Sequence, residues 1–286
     1  MRLGTAKRLL TNDRPIRRTN LCEHWKVRLT TSKKLTATLL QIAVCMAATP
    51  SFLPAQEMRA VSPLGNDPAN GSLTVSEVVV NLVARNAERT KALESYTGRR
   101  TYRLDYHGLP GNLQSEMIVN VVYRAPSTKQ FTVISEKGSK LIINRVFHKL
   151  LESEEEALNA KNRQESALNE LNYEFTLITF ERTLERSCYV LAVRPKASNK
   201  FLYRGTIWVD ATDFAVSRIE AEPAKNPSFW TKKSRILQTY LKAGNFWMPS
   251  NNRTTTTVRF GGKAVLNIDY DDYELSESHL TVADKH

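Results

Sequence analysis

Cysteine is nearly missing from the body of this chain. Cys22 and Cys45 stand in the first fifty residues, and Cys188 is the third and last. Without the N-terminal segment a monomer has no partner for an internal disulfide. Its neighbours Tyr189, Val190 and Leu191 read as a strand, which makes Cys188 a small half-buried side chain rather than a reactive thiol. Histidine beyond the N-terminal segment is scattered: His107, His148, His279 and His286 have no second ligand at metal-site spacing. There is no G-x-S-x-G elbow, phosphate loop or dinucleotide fingerprint, and Gly261-Gly262 reads as a hairpin turn. The acidic stretch Asp269, Asp271, Asp272 and Glu274 lacks the glycine turn and spacing of a calcium loop. Nothing here forms a catalytic constellation, and the expectation is a protein that is not an enzyme and needs no cofactor.

Long apolar runs are missing too. The longest, 35–48, is interrupted by Thr36, Thr38 and Gln41. As a helix it would rise ~21 Å, short of the ~30 Å hydrocarbon core. Excess charge is absent from the body as well. The net charge is +12, but residues 1–34 carry +8 of it and residues 35–55 carry none. The remaining +4 is an ordinary soluble surface, which argues against nucleic-acid binding. A basic head, a short apolar core and Ala55 before a polar chain form a secretory signal. The segment 1–55 is therefore expected to be a leader, with periplasmic export as its consequence. The head is unusually long for a signal, which makes a start near Leu29 the alternative. Ile42-Ala43-Val44-Cys45 is a weak lipoprotein box, because Val44 is bulky before the cysteine.

Residues 56–73 read as a linker, with Pro63, Gly65, Pro68 and Gly71. Thr74-Val75-Ser76-Glu77 is a capping box, with Leu73 and Val78 placed as a hydrophobic staple. Val75, Val78, Val79, Leu82 and Val83 then fall on one helical stripe, predicting a helix over 74–93. A second helical region is predicted over 139–165, with Leu141, Ile142, Val146, Leu150 and Leu151 as its apolar side. Glu152 to Glu156 reads as a solvated face of that helix.

Strand patterns fill the rest: 96–106, 117–123, 131–133, 173–179, 188–194, 202–210, 215–222, 234–241, 246–250, 253–260 and 264–274. Asp210 to Asp213 supplies a tight turn between two of them. Eleven short strands and two helical regions predict a mainly β, α+β domain over 74–275. It should be one antiparallel sheet with helices packed on one face. Residues 276–286 read as a flexible tail.

Alternation along the strands puts Tyr102, Leu104, Met117, Val119, Val121, Phe131, Leu191, Ile207 and Ile219 on inward faces. A strongly curved sheet that two modest helices do not fill leaves an apolar concavity, and these nine are its candidate lining. Phe229-Trp230 follows Pro227 and precedes Lys232-Lys233. This group suits a lipid, membrane or partner surface, and equally a loop folded back as a plug.

The runs RGTIWVDATDFAVSRIEAEPAKNPSFW and YLKAGNFWMPSNNRTTTTVRFGGKAVLNIDYDDYE resemble the exported bacterial proteins of the outer-membrane lipoprotein-sorting, or LolA-like, family. YRAPSTKQFTVISEKGSKLI and HKLLESEEEA fit as well, so the resemblance covers 74–274. It implies a half-open antiparallel barrel of about eleven strands, with helices as a lid over an apolar cavity. It also implies a periplasmic monomer that holds a lipid acyl chain or lipoprotein and meets a membrane-protein partner. A periplasmic sensor module with a protein partner stays open as the alternative. In the family's carrier an arginine near the lid controls opening. Arg99, Arg100 and Arg103 are all candidates for it, and the resemblance alone selects none.

Overall fold

The first described element is a helix that runs straight into a strand. The computed structural model describes residues 73–109, 111–226, 231–259 and 261–277. The leader, most of the linker, residues 278–286 of the expected tail, Phe229 and Trp230 lie outside the described residues, whereas Ser276 and Glu277 are the last residues of a strand. Helix α1 (Val75–Ala92) starts at the expected capping box. The Thr74 N–H donates to Glu77 Oε2 at 2.8 Å, and the Glu77 N–H donates to Thr74 Oγ1 at 3.3 Å. Its C-cap, Leu93, is already extended and is the first residue of β1 (Leu93–His107). We expect Thr74→Ala to cost ~1 kcal/mol, read from urea unfolding, because the Glu77 N–H loses the hydroxyl that accepts from it.

After β1 come β2 (Leu113–Arg124) and β3 (Thr128–Gly138). A helical region follows: α2 (Lys140–Ile142), one π-helical turn (Ile143–Phe147), α3 (His148–Ala157) and α4 (Ala160–Ser166). The chain then returns to β4 (Tyr173–Arg182), β5 (Ser187–Pro195), β6 (Tyr203–Asp210) and β7 (Val216–Pro223). It ends with β8 (Thr231–Ala243), β9 (Phe246–Val258) and β10 (Lys263–Glu277). All neighbours are antiparallel, in the order β3-β2-β1-β10-β9-β8-β7-β6-β5-β4. Two meanders thus meet where β1 pairs β10, and β3 and β4 are the open edges of the sheet.

The strand count is ten among the described residues, and the expected eleven is corrected here. The patterns at 246–250 and 253–260 are one strand, β9. Pro249 does not end it, because it sits where the β8–β9 register shifts between Thr239 and Tyr240. A bulge is a place where a strand tolerates a residue without an N–H. Asn252, between the two predicted strands, is fully buried in the ladder, and its Nδ2 donates to Gln238 Oε1 at 2.8 Å.

Two hydrophobic clusters hold the helices to the sheet. In the first, Ile142, Val146, Phe147 and Leu150 pack on Tyr102, Met117, Val119, Leu266 and Ile268 of β1, β2 and β10. In the second, Val78, Val79 and Leu82 of α1 pack on Leu191, Ile207, Ile219 and Ile236 of β5 to β8. Each fully buried side chain of this size contributes about 1.5–3 kcal/mol relative to exposure. A buried polar row on β8 and β9 lies outside both clusters: Ser234 hydrogen-bonds Thr256 at 2.8 Å, and the Thr254 hydroxyl donates to Asn252 Oδ1 at 3.0 Å.

Candidate ligand cavity

A cavity of about 160 Å³ opens where the two clusters approach each other. Side chains of eight strands, all but β4 and β5, border it, so the sheet curls around it. One wall comes from α1, through Asn86, Arg89 and Thr90; another comes from Arg163 in α4 and Ser166 to Leu168 at its end. Leu93, Ile219, Phe246, Met248 and Pro249 supply much of the apolar surface.

The charged corner of this cavity is set by strand alternation. Tyr96, Arg100, Tyr102 and Leu104 take even positions on β1 and share its inward face, and all four are buried. Arg100 is 5 % exposed and grips Glu154 of α3 with both ends of its guanidinium, Nη1–Oε2 at 2.6 Å and Nη2–Oε1 at 3.0 Å. On β3, Lys129 stands two residues before Phe131 on the same face and donates from Nζ to Glu154 Oε1 at 2.6 Å. The aromatic faces of Phe131 and Tyr270 lie 5.7 and 5.0 Å from the Arg100 guanidinium, and Tyr96 lies 5.7 Å from Lys129 Nζ. Such contacts stabilise a cation where water is scarce.

Burial opposes the charge on Glu154, but the attraction of Arg100 and Lys129, with their hydrogen bonds, outweighs it and holds its carboxyl at about 2. Burial likewise disfavours the charges on Arg100 and Lys129, yet Glu154 raises both above their ordinary range. The cluster is therefore two cations around one carboxylate. Glu154 corrects the expectation of a solvated acidic face, since it is buried while its neighbours Glu155 and Glu156 are exposed. It sits on the stripe Phe147, Leu150, Leu151, Glu154, Ala157, which is buried along its length.

Two more cations line the cavity. Arg89 spends its donors on the carbonyls of Asp213 and Phe214 at 2.9 and 3.0 Å and on Asn86 Oδ1 at 2.6 Å. Arg163 donates to the Pro126 carbonyl at 2.9 Å, and its Nε is buried with no hydrogen-bond partner. Asp213, from the turn in the most distinctive run of the sequence, is a structural hub. Its carboxylate accepts from Trp247 Nε1 at 2.9 Å and Lys242 Nζ at 2.7 Å. The turn itself forms as expected, with the Thr212 and Asp213 N–H groups both donating to Asp210 Oδ1.

Of the nine candidate lining residues, Ile219 borders this cavity. Tyr102, Leu104, Met117, Val119 and Val121 lie in the first cluster, with Phe131 packed against it. Leu191 and Ile207 lie in the second, with α1 packed in the same cluster. Lys232 and Lys233 are exposed on β8, and Lys233 Nζ pairs with Glu222 Oε1 at 2.9 Å. Arg103 is half exposed on the outer face between Glu116 and Asp269. Cys188 is buried, with its Sγ 3.7 Å from Ser217 Oγ, and burial pushes its thiol pKa up. Among the described residues no group of three His, Cys, Asp or Glu could hold a metal ion. No helix among them is long and apolar enough to cross a membrane.

No protein-family model matches the sequence, and no curated protein does. Similar solved structures include a DUF1329 family protein from Desulfovibrio piger, with 13 % identity, a TM-score of 0.37, and coverage of 71 % of this chain and 93 % of that one. The LolA superfamily protein NE2245 from Nitrosomonas europaea has 12 % identity and a TM-score of 0.32, over 72 % of this chain and 96 % of its own. A putative outer membrane lipoprotein-sorting protein domain from Vibrio parahaemolyticus has 10 % identity and a TM-score of 0.34, over 70 % and 91 %.

Proposed function

We propose that this protein is a non-catalytic binding module of the periplasm that carries a lipid acyl chain, alone or on a lipoprotein, in the cavity between its sheet and its helices. The observation that supports this reading most is the cavity itself, bordered by both helical regions, with apolar walls drawn mainly from the inward face of the sheet. Its present volume of about 160 Å³ suits a short apolar group, close to the ~150 Å³ that holds a benzene-sized ligand in a dry protein cavity. A longer chain needs the helices to move outward, as a lid would. Burying ten methylenes would supply ~8 kcal/mol before the costs of association, enough for a useful affinity. Export through the 1–55 leader belongs to the same proposal.

Titration with a fluorescent acyl probe tests it. Ala215 is buried and borders the cavity, so Ala215→Trp fills the space without adding charge. We expect the wild type to bind one probe and Ala215→Trp to bind at least ~10-fold more weakly with its melting transition retained. Met117→Arg and Val119→Arg would be poor tests, because both sites are fully buried in the first cluster and the charge would unfold it.

A second reading, a sensor or regulatory module that holds a protein partner, is favoured by the sheet edges. Val133 and Ile134 on β3 and Ile178 and Phe180 on β4 are exposed beside unpaired backbone. An open edge can accept a strand from another chain. Recovery of a stoichiometric protein and no lipid from native preparations would favour this reading over the first.

A further inference from the structure

The cavity wall is apolar but its charged lining has one sign. Arg89, Arg100, Lys129 and Arg163 border it, and among the described residues no Asp or Glu does. Arg89 is met by Asp213, whose carbonyl it binds and whose negative charge favours its own. Glu154 faces Arg100 and Lys129 from α3, and both of its oxygens are committed to them. That leaves one positive charge uncompensated in the buried cluster. The other side chains against it are the rings of Tyr96, Phe131 and Tyr270 and the Tyr102 hydroxyl, which accepts from Arg100 Nη1 at 3.4 Å, and all of them are neutral. Arg163 adds a second cation with a buried, unpartnered Nε. Taking an unpaired charge out of water is costly, and so is leaving a buried donor unmade. A fold that keeps both at one apolar cavity is complementary to an anion arriving with an alkyl chain.

We propose that the ligand is an anionic amphiphile, with its alkyl chain among the apolar walls and its carboxylate or phosphate between Lys129, Arg100 and Arg163. This rests on the acyl-chain reading above and narrows it, since a neutral chain would leave the excess charge unanswered. Charge-assisted hydrogen bonds of this kind are short and roughly twice as strong as neutral ones.

Three ligands with one chain test it by calorimetric titration at pH 8: dodecanol, dodecanoate and dodecyl phosphate. In the wild type, one or both anions should bind at least ~10-fold more tightly than the alcohol. Preference between the two anions identifies the head group as carboxylate or phosphate. Lys129→Met leaves the neutral Arg100–Glu154 pair in place and should cut the anions' advantage over the alcohol several-fold. Arg163→Gln, on the more exposed α4, should weaken the anions in the same direction. If the alcohol binds the wild type as tightly as both anions, the acyl-chain reading stands and this inference falls. If none of the three binds, both fall.

Discussion

Glu154→Gln should lower stability by about 3–5 kcal/mol, because it leaves two buried cations with no carboxylate between them. For a domain of this size that is a fall in Tm of ~10 °C. Lys129→Met removes one of those cations and leaves a matched pair, so its cost should be far smaller, ~1 kcal/mol. Two substitutions that each remove one charge from the same cluster are thus expected to differ several-fold. Equal losses would mean that the cluster is not buried as described. The same physics sets an acid response. The Glu154 carboxyl is lowered from 4.5 to about 2 on folding. A depressed pKa contributes stability that is complete above the unfolded value and is lost as pH falls through the folded one. The contribution, ~3 kcal/mol, should therefore disappear between about pH 4.5 and pH 2. Glu154→Gln should lack that component, so the gap between the two proteins should close across this window in acid-unfolding curves.

Phe147→Ala is the second large effect. Phe147 is fully buried in the π-helical turn, and its ring lies 5.9 Å from that of Tyr102. It joins the helical region to β1, and Val146, Leu150 and Met117 belong to the same cluster. Removing a buried ring of this kind costs 3–5 kcal/mol, through lost transfer energy and the cavity left behind. Hydrogen exchange should also speed up from Lys140 to Ala157 more than in α1, whose contacts are in the other cluster. Uniform acceleration in both helical regions would show that the two clusters unfold together.

Much of this fold is legible in the sequence because its signals are local. The capping box at Thr74 and Glu77, the stripe Val78, Val79, Leu82 and the Asp210 turn each act within a few residues, and each forms as its spacing predicts. The β9 boundary was not legible, because whether Pro249 ends a strand or sits at a bulge depends on Tyr240 across the ladder. The inward apolar face was legible by alternation, but its division into packed core and cavity was not. Met117 and Ile219 have the same character in sequence, and the helix above each decides which one a ligand could reach. Arg100, Lys129 and Glu154 carried a signal that composition hid. Arg100 has the parity of Tyr96 and Tyr102, Lys129 that of Phe131, and Glu154 the helical phase of Leu150 and Leu151. Charged residues in apolar phase are easily read as surface, and 54 residues separate Arg100 from its partner.

Trp247 borders the cavity, whereas Trp208 lies on the outer side, with its Nε1 donating to Glu181 and Arg218 over its ring. Quenching by an acyl chain brominated along its length therefore reports where the chain lies. Two proteins suffice, one keeping Trp247 and one keeping Trp208, with the remaining tryptophans changed to Phe. We expect saturable quenching of Trp247 at one chain per protein and none of Trp208 beyond free-solution collisions. Equal quenching of both, or saturable binding that leaves Trp247 untouched, would contradict binding in the cavity.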